Sequence, residues 1–306
     1  MSKQLDGQMS PRPAGLVEPV RAFLRLVAIE HSVFALPFAY LSALAAMRAG
    51  GGDWTVNWAD LALITVAMVG ARTFAMAANR IIDRQIDARN PRTARRELVT
   101  GAVTLRTAWS GAGVALAVFL VAAAALNPLC LMLAPIALVP LVVYPYGKRF
   151  TDWPHALLAI AQMIGPVGAW LGVTGTFVGS GPAWVLGAAV GLWIGGFDLI
   201  YACQDAEVDR EIGVRSVPAR YGLRFALRLS TAVHVVTFAL FIWFGALVGL
   251  GWLWWIGLVL TAAAFTYEHR IVTPTDLSRV NRAFFTANGF VGIALFVFAA
   301  ADLLLR

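Results

Sequence analysis

Nine long apolar blocks, at 20–47, 59–81, 102–126, 128–147, 154–174, 183–204, 224–249, 251–268 and 284–303, divide a chain of 306 residues. As a helix, each is long enough to cross a bilayer hydrocarbon core of about 30 Å. None shows the alternation of a strand, and a helix satisfies its own backbone groups in lipid. The expected fold is therefore all-α, a polytopic membrane bundle of about nine transmembrane helices. One transmembrane domain should cover 20–306, after a flexible polar tail over 1–19. Composition points the same way. The chain is 59% apolar and 13% charged, where soluble domains average about 45–50% and about 25%. The tail lacks the apolar core of a signal peptide. Cys130 and Cys203 fall inside apolar blocks and suggest no disulfide framework.

The charge is distributed by side. Of the 24 Lys and Arg residues, 21 fall in the tail or in alternate connections. Only Arg48 and Arg306 lie in the opposite set, and Arg72 sits inside a block. The positive-inside rule places the basic connections and the N-terminus in the cytoplasm. The net charge of +7 is thus a topology signal, and nucleic acid is not an expected partner. The expected setting is a bacterial inner (plasma) membrane.

Two of the basic connections share a device. One reads "DRQIDARNPRTARRELVTG" from Asp83, the other "DAEVDREIGVRSVPARYG" from Asp205. Asp83 and Asp205, like Asp87 and Asp209, are separated by 122 residues, which suggests an internal repeat. Helical spacing puts Arg72, Met76, Asn79 and Asp83 on one face, with Asp87 a turn beyond. The same spacing aligns Asp198, Tyr201, Asp205 and Asp209. Ionisable groups inside a span are costly and normally face a polar cavity. Arg72 and Asp198 lie deepest, and one reading is that they pair with each other as a structural lock.

Carboxylates in such numbers, with an asparagine, offer hard oxygen ligands suited to Mg²⁺, which keeps waters and the phosphate oxygens of its substrate. His31, His155, His234 and His269 fall on four different helices at no zinc spacing and read as packed or interfacial residues. "GAGVAL" at 111–116 is no nucleotide loop, because it lies within an apolar block and lacks the final glycine. A substrate with phosphate at the membrane surface and an apolar body in the bilayer fits best, and a prenyl diphosphate meets both demands. Arginines and Mg²⁺ would neutralise the departing diphosphate, and a cavity shielded from water would shelter the allylic cation.

"NRIIDRQID" (79–87) resembles the N-x-x-x-D-x-x-x-D motif of the UbiA-type intramembrane prenyltransferases, and "DLIYACQDAEVD" (198–209) resembles their second aspartate-rich motif. "RTARREL", "YPYGKRF" and "GVRSVPARYG" extend the likeness, and the nine-span plan matches over nearly the whole chain. The resemblance implies that Asn79, Asp83, Asp87, Asp205 and Asp209 hold Mg²⁺. It implies that Arg84, Lys148 and Arg149 contact the diphosphate. "ARNPRTARREL" and "GFDLIYACQD" look most like the branch that prenylates 4-hydroxybenzoate, or the related branch acting on a dihydroxynaphthoate in quinone biosynthesis. Val99 stands where many members have proline, which should shift the local turn without removing a ligand. Asp198 and Tyr201 are then expected to orient or deprotonate a phenol, and Arg72 to meet an acceptor carboxylate. Haem or a glycerol lipid is an alternative acceptor, since enzymes using them share the metal motifs. From another class, an ion-coupled transporter could carry intramembrane Asp and Arg, but its site belongs at mid-bilayer.

The topology is open to a direct test. With Cys130 and Cys203 replaced, Arg92→Cys and Arg215→Cys should react with an impermeant thiol reagent only from the cytoplasmic side, and Val178→Cys only from the other. Labelling on the reverse faces would overturn both orientation and span count.

Overall fold

The computed structural model describes residues 23, 24, 26, 27, 35–51 and 54–305. The tail expected over 1–19 and most of the early part of the first apolar block lie outside the described residues. Nine long helices follow among the described residues: α1 (Leu36–Ala49), α2 (Trp58–Asp87), α3 (Leu105–Leu126), α4 (Pro128–Phe150), α5 (Pro154–Thr174), α6 (Gly181–Ala202), α7 (Leu223–Val248), α8 (Trp252–Ile271) and α9 (Asn288–Leu304). No strand occurs among them, only an isolated bridge between Thr273 and Asp276. Among the described residues, seven helical stretches are long and apolar enough to span a membrane. The described part of α1 is shorter at 14 residues. α8 has the length, but its tryptophans and the Glu268, His269, Arg270 end make it less apolar. Val121, Met132 and Val259 remain 69%, 73% and 68% exposed, a surface that only lipid would solvate well.

Local chemistry sets the helix ends. Asn57 accepts from the amides of Ala59 and Asp60 to start α2, and Thr104 accepts from Thr107 to start α3. Asn127 caps α4 through the Cys130 amide, while its side-chain nitrogen donates to Leu171 and Gly172 carbonyls at the end of α5, at 2.9 Å each. α4 stays continuous through Pro135, Pro140 and Pro145, and α5 through Pro166, so neither is a broken helix.

The 122-residue offset between the motifs extends to the helices. α1 maps onto α5, α2 onto α6, α3 onto α7 and α4 onto α8, each within a few residues except that α6 stops at Ala202, before the position that matches the end of α2. The structure thus repeats a four-helix unit and adds α9, which packs against α1 and α8. Within the second unit, α5 and α6 pack with their backbones nearly in contact. Gly187, Gly191 and Gly195 recur every fourth residue on α6, and a Cβ at each would lie 2.8, 2.4 and 3.1 Å from the carbonyl oxygens of Met163, Ala159 and His155 on α5. Small residues at this spacing let backbones approach and gain dispersion contacts that lipid cannot match. α6 in turn carries the centre of the core, where Trp193 packs against Phe38 and Phe197.

The α5–α6 contact makes a prediction. Gly191→Val should force the helices apart and lower the melting midpoint in detergent by several degrees, whereas Gly113→Val, which meets no atom within 4 Å, should leave it unchanged. Equal midpoints would show that the close approach is dispensable.

Candidate active site

The end of the bundle where α2, α4, α6 and α8 finish carries both aspartate motifs. α2 runs six residues past the end of its apolar block, so Asn79, Asp83 and Asp87 share one continuous helix. The second motif does not. After α6 the chain tightens into a 3₁₀ turn at Cys203–Asp205, and Asp205 then begins the short helix Ala206–Ile212 that carries Asp209. The uninterrupted face expected for Asp198, Tyr201, Asp205 and Asp209 is therefore broken at Asp205.

Each carboxylate has named partners. Asp83 is 1% exposed and lies between two cations from α4. Arg149 donates to its Oδ1 at 3.0 Å, and Lys148 Nζ stands 2.7 Å from Oδ2 without the angle for a hydrogen bond. Arg96 reaches Asp87 at 2.6 Å. Asp205 accepts from Arg92 through both oxygens, at 2.8 and 2.5 Å, and from Asn90 at 3.0 Å. Ser216 donates to Asp209 at 3.1 Å. The two motifs thus face a shared field. Arg92 acts electrostatically on Asp87 as well as Asp205, Arg96 on Asp205, and Lys148 on Asp209. Burial opposes the charge of Arg92, but the Asp205 hydrogen bonds outweigh it and hold the guanidinium above its ordinary range.

Deeper in the bundle, an apolar cavity of about 480 Å³ lies among α2, α3, α4 and α5, lined by Met68, Arg72, Met76, Phe119, Tyr144 and Met163 among others. Tyr144 joins cavity to lip. Its hydroxyl accepts from Asn79 Nδ2 at 3.2 Å, and Asp83, Asp198 and Arg72 lie within its electrostatic range. Arg72 Nε is buried at the cavity wall with no hydrogen-bond partner. The lock between Arg72 and Asp198 is not formed. Asp198 pairs instead with His155 Nδ1 at 2.6 Å, across the α5–α6 contact that the glycines allow. Tyr201 accepts from Arg92 at 3.1 Å. Arg84 is exposed and turned outward, bonding the Leu98 carbonyl at 3.1 Å, so the structure does not bring it to the carboxylates.

The oxygen donors fit a hard divalent cation. Asp83 Oδ2 is buried and accepts no hydrogen bond, and Asp87, Asp205, Asp209 and Asn79 complete an all-oxygen set. Among the described residues, these carboxylates do not gather three ligand atoms at one point. That spacing suits an ion that keeps waters and substrate oxygens in its shell.

A profile of the UbiA prenyltransferase family matches residues 35–290. The chain belongs to that family. It is 29% identical to the 4-hydroxybenzoate octaprenyltransferase of Cupriavidus necator over 296 residues, covering 95% of this chain and all of the relative. Identity to the enzyme of that name from Nitrosospira multiformis is 33% over 249 residues, or 81% of this chain and 84% of the relative. The solved UbiA homologue from Aeropyrum pernix K1 superposes with a TM-score of 0.79 at 35% identity, covering 90% of this chain and 98% of that one. The Archaeoglobus fulgidus homologue bound to DMAPP and Mg²⁺ gives 0.70 at 19% identity, covering 93% and 100% of the two chains, a likeness of fold alone. As a UbiA-family member the protein is an integral membrane prenyltransferase.

Sequence reasoning passed over Tyr144, Asn90, Arg92, Arg96, His155 and Ser216 as site residues. Arg92 and Arg96 are read from the sequence only collectively, among arginines that set topology and attract diphosphate, although their place in the turn directly after the first motif singles them out. Val99 donates its amide to the Arg96 carbonyl at 2.9 Å, a bond that proline could not make. Here the departure from the family pattern steadies the turn that carries Arg96.

The Arg92 fork supplies a test. Arg92→Lys keeps the charge but cannot hold both oxygens of Asp205 and the Tyr201 hydroxyl together. Prenyl transfer should fall about tenfold in kcat/KM, the loss of roughly one charge-assisted hydrogen bond. Unchanged kcat/KM would remove Arg92 from the site.

Proposed function

We propose that this protein transfers a polyprenyl chain from a prenyl diphosphate to an aromatic acid of the 4-hydroxybenzoate type, with Mg²⁺. The observation that carries this reading is the juxtaposition at Tyr144 of a charged lip and an apolar cavity that has one half-buried cation, Arg72, in its wall. The curated relatives named for 4-hydroxybenzoate and the solved relative carrying DMAPP and Mg²⁺ support it. The basic connections favour an orientation with the lip in the cytoplasm of a bacterial cell.

Asp83, Asp87, Asp205 and Asp209, with Asn79, would hold the metal. When bound, the ion would supply charge neutralisation to the leaving diphosphate, easing cleavage of the allylic C–O bond. Lys148, Arg149, Arg92 and Arg96 are donors already gathered at the lip and would bind phosphate oxygens. The apolar walls of the cavity exclude water from the reacting carbon. Arg72 would take the acceptor carboxylate through its planar fork. Asp198, oriented by His155 and within electrostatic range of Tyr144, would accept the proton that the ring loses on substitution. Tyr201 would serve by positioning Arg92. Arg84, as placed here, would act on the turn at Leu98 rather than on phosphate.

A transporter would place its polar groups at mid-membrane beside discontinuous helices. The continuous α4 and α5 and the carboxylates at one helix end argue against that reading.

Purified protein with Mg²⁺, a labelled prenyl diphosphate and a panel of aromatic acids tests the assignment. Asp83→Asn and Asp205→Asn should each abolish turnover while expression and folding persist. Arg72→Lys should raise the KM for the aromatic acid about tenfold, with the KM for prenyl diphosphate nearly unchanged. A rise confined to prenyl diphosphate would move Arg72 to the leaving-group clamp. Activity in either aspartate variant would reject the two-motif site.

A further inference from the structure

Far along the chain from the first motif, α7 and α8 bring together groups that the spacing of histidines in the sequence gave no reason to associate. His234 Nδ1 and His269 Nε2 stand 2.9 Å apart, and Glu268 Oε2 lies 3.6 Å from His234 Nδ1. The ligand atoms of all three residues fall within 4.8 Å of one another, and His234 and Glu268 are buried. The expectation that the histidines form no group is therefore corrected for this pair.

The hydrogen bonds on the outer side of each ring fix the tautomers. His234 Nε2 meets the Trp193 carbonyl at 3.2 Å, and a carbonyl only accepts, so Nε2 carries the hydrogen and Nδ1 the lone pair. Thr231 donates its hydroxyl hydrogen to the Leu227 carbonyl at 3.0 Å. Its oxygen can then only accept from His269 Nδ1 at 3.2 Å, so His269 Nε2 is also a lone pair. Glu268 Oε1 accepts from Asn288, which is itself fixed by Trp193, while Oε2 is buried without a hydrogen-bond partner. Two nitrogen lone pairs and a carboxylate oxygen are therefore gathered within 4.8 Å of one another, and no hydrogen is available from the neutral rings to lie between them.

We propose that His234, His269 and Glu268 form a metal site for a divalent d-block ion of the zinc class, separate from the Mg²⁺ lip. Two imidazoles and one carboxylate are a donor set such ions favour over Mg²⁺. With metal–nitrogen bonds of about 2.0–2.1 Å, a 2.9 Å separation corresponds to a ligand–metal–ligand angle of about 90°, and parting the rings by about 0.4 Å would give the tetrahedral angle that zinc takes. The outer partners Trp193, Thr231 and Asn288 hold the ligands as the second shell of a metal site does, each fixing one donor atom. His269 is half-buried beside the exposed Thr231, which gives an ion a way in. The repeat supplies a contrast. At the 122-residue offset, His234, Glu268 and His269 correspond to Ala112, Tyr146 and Gly147, so the cluster belongs to the second half alone. Its role is positional. It joins α7 to α8 directly, and through Asn288 and Trp193 it reaches α9 and α6, the helix that presents Asp198.

The test uses full-length protein carrying a tag without histidines. After EDTA treatment and its removal, the protein is exposed to Zn²⁺ and desalted, and metal is read by mass spectrometry. The expected result is about one zinc retained per chain, with a melting midpoint several degrees above the stripped protein. His234→Gln with His269→Gln should lose the zinc, and Asp83→Asn with Asp205→Asn should keep it. Should the histidine variant fail to fold, Co²⁺ loaded into the wild type should give visible d–d bands, and zinc-edge absorption should show imidazole scattering. The proposal is overturned if wild type retains no zinc, or if the histidine variant retains it. The same holds if Co²⁺ gives no bands and Zn²⁺ no thermal shift; a proton shared between the rings would then hold them together. None of these readouts depends on prenyl transfer.

Discussion

A carboxylate buried at the end of a membrane helix cannot stay charged without partners, and Asp83 is where this protein meets that demand. At 1% exposure it is bracketed by Lys148 and Arg149, so α2 is tied to α4 at the reacting end. Leaving such a charge unpaired would cost several kcal/mol. The tie extends through the backbone. The Lys148 carbonyl accepts from the Arg215 amide at 2.9 Å, and the Phe150 carbonyl from the Arg215 guanidinium at 2.8 Å. Ser216, the next residue, holds Asp209. One buried aspartate of the first motif is thus connected, bond by bond, to the last aspartate of the second.

Much of this was readable beforehand. Length and hydropathy gave the helices, because a lipid-exposed backbone has few other options, and the paired motifs located the reacting end. The parts that were not readable depend on what lies across a helix interface. One reading paired Asp198 with Arg72 because both are deep and oppositely charged, yet depth does not tell which face meets which neighbour. The three glycines of α6 bring His155 to Asp198 instead. Arg92 and Arg96 were legible as charge but not as ligands, since their role depends on the turn at Asn90 folding back over the lip. Arg84 was over-read for the opposite reason. It lies inside the motif, but its helical phase sends it away from the aspartates. His234 and His269 are 35 residues apart, a separation that only the packing of α7 on α8 converts into contact.

The repeated four-helix unit gives both halves the same scaffold and different contents. The first half, with α5, encloses the apolar cavity, and its α2 offers Asn79 where the second offers Tyr201. The second half has its interior filled by Trp193, Phe241 and Trp254. Substrate space and structural core are therefore divided between copies of one fold. That division explains why equivalent positions such as Arg72 and Ile194 differ so sharply in polarity.

Two connections at the reacting end, after α2 and after α6, are walls of the site rather than spacers. Asn90, Arg92 and Arg96 come from one, Arg215 and Ser216 from another, and each is bonded to a carboxylate or to a neighbouring helix end. At the opposite end, the turn after α5 bonds mainly to itself, through Thr174, Thr176 and Ser180. The turn after α5 is therefore a place where the chain could be lengthened with little effect, whereas a single residue inserted after α2 would move an arginine off its aspartate. An engineered insertion belongs in that outer turn and is foreclosed in the two connections that hold the aspartates.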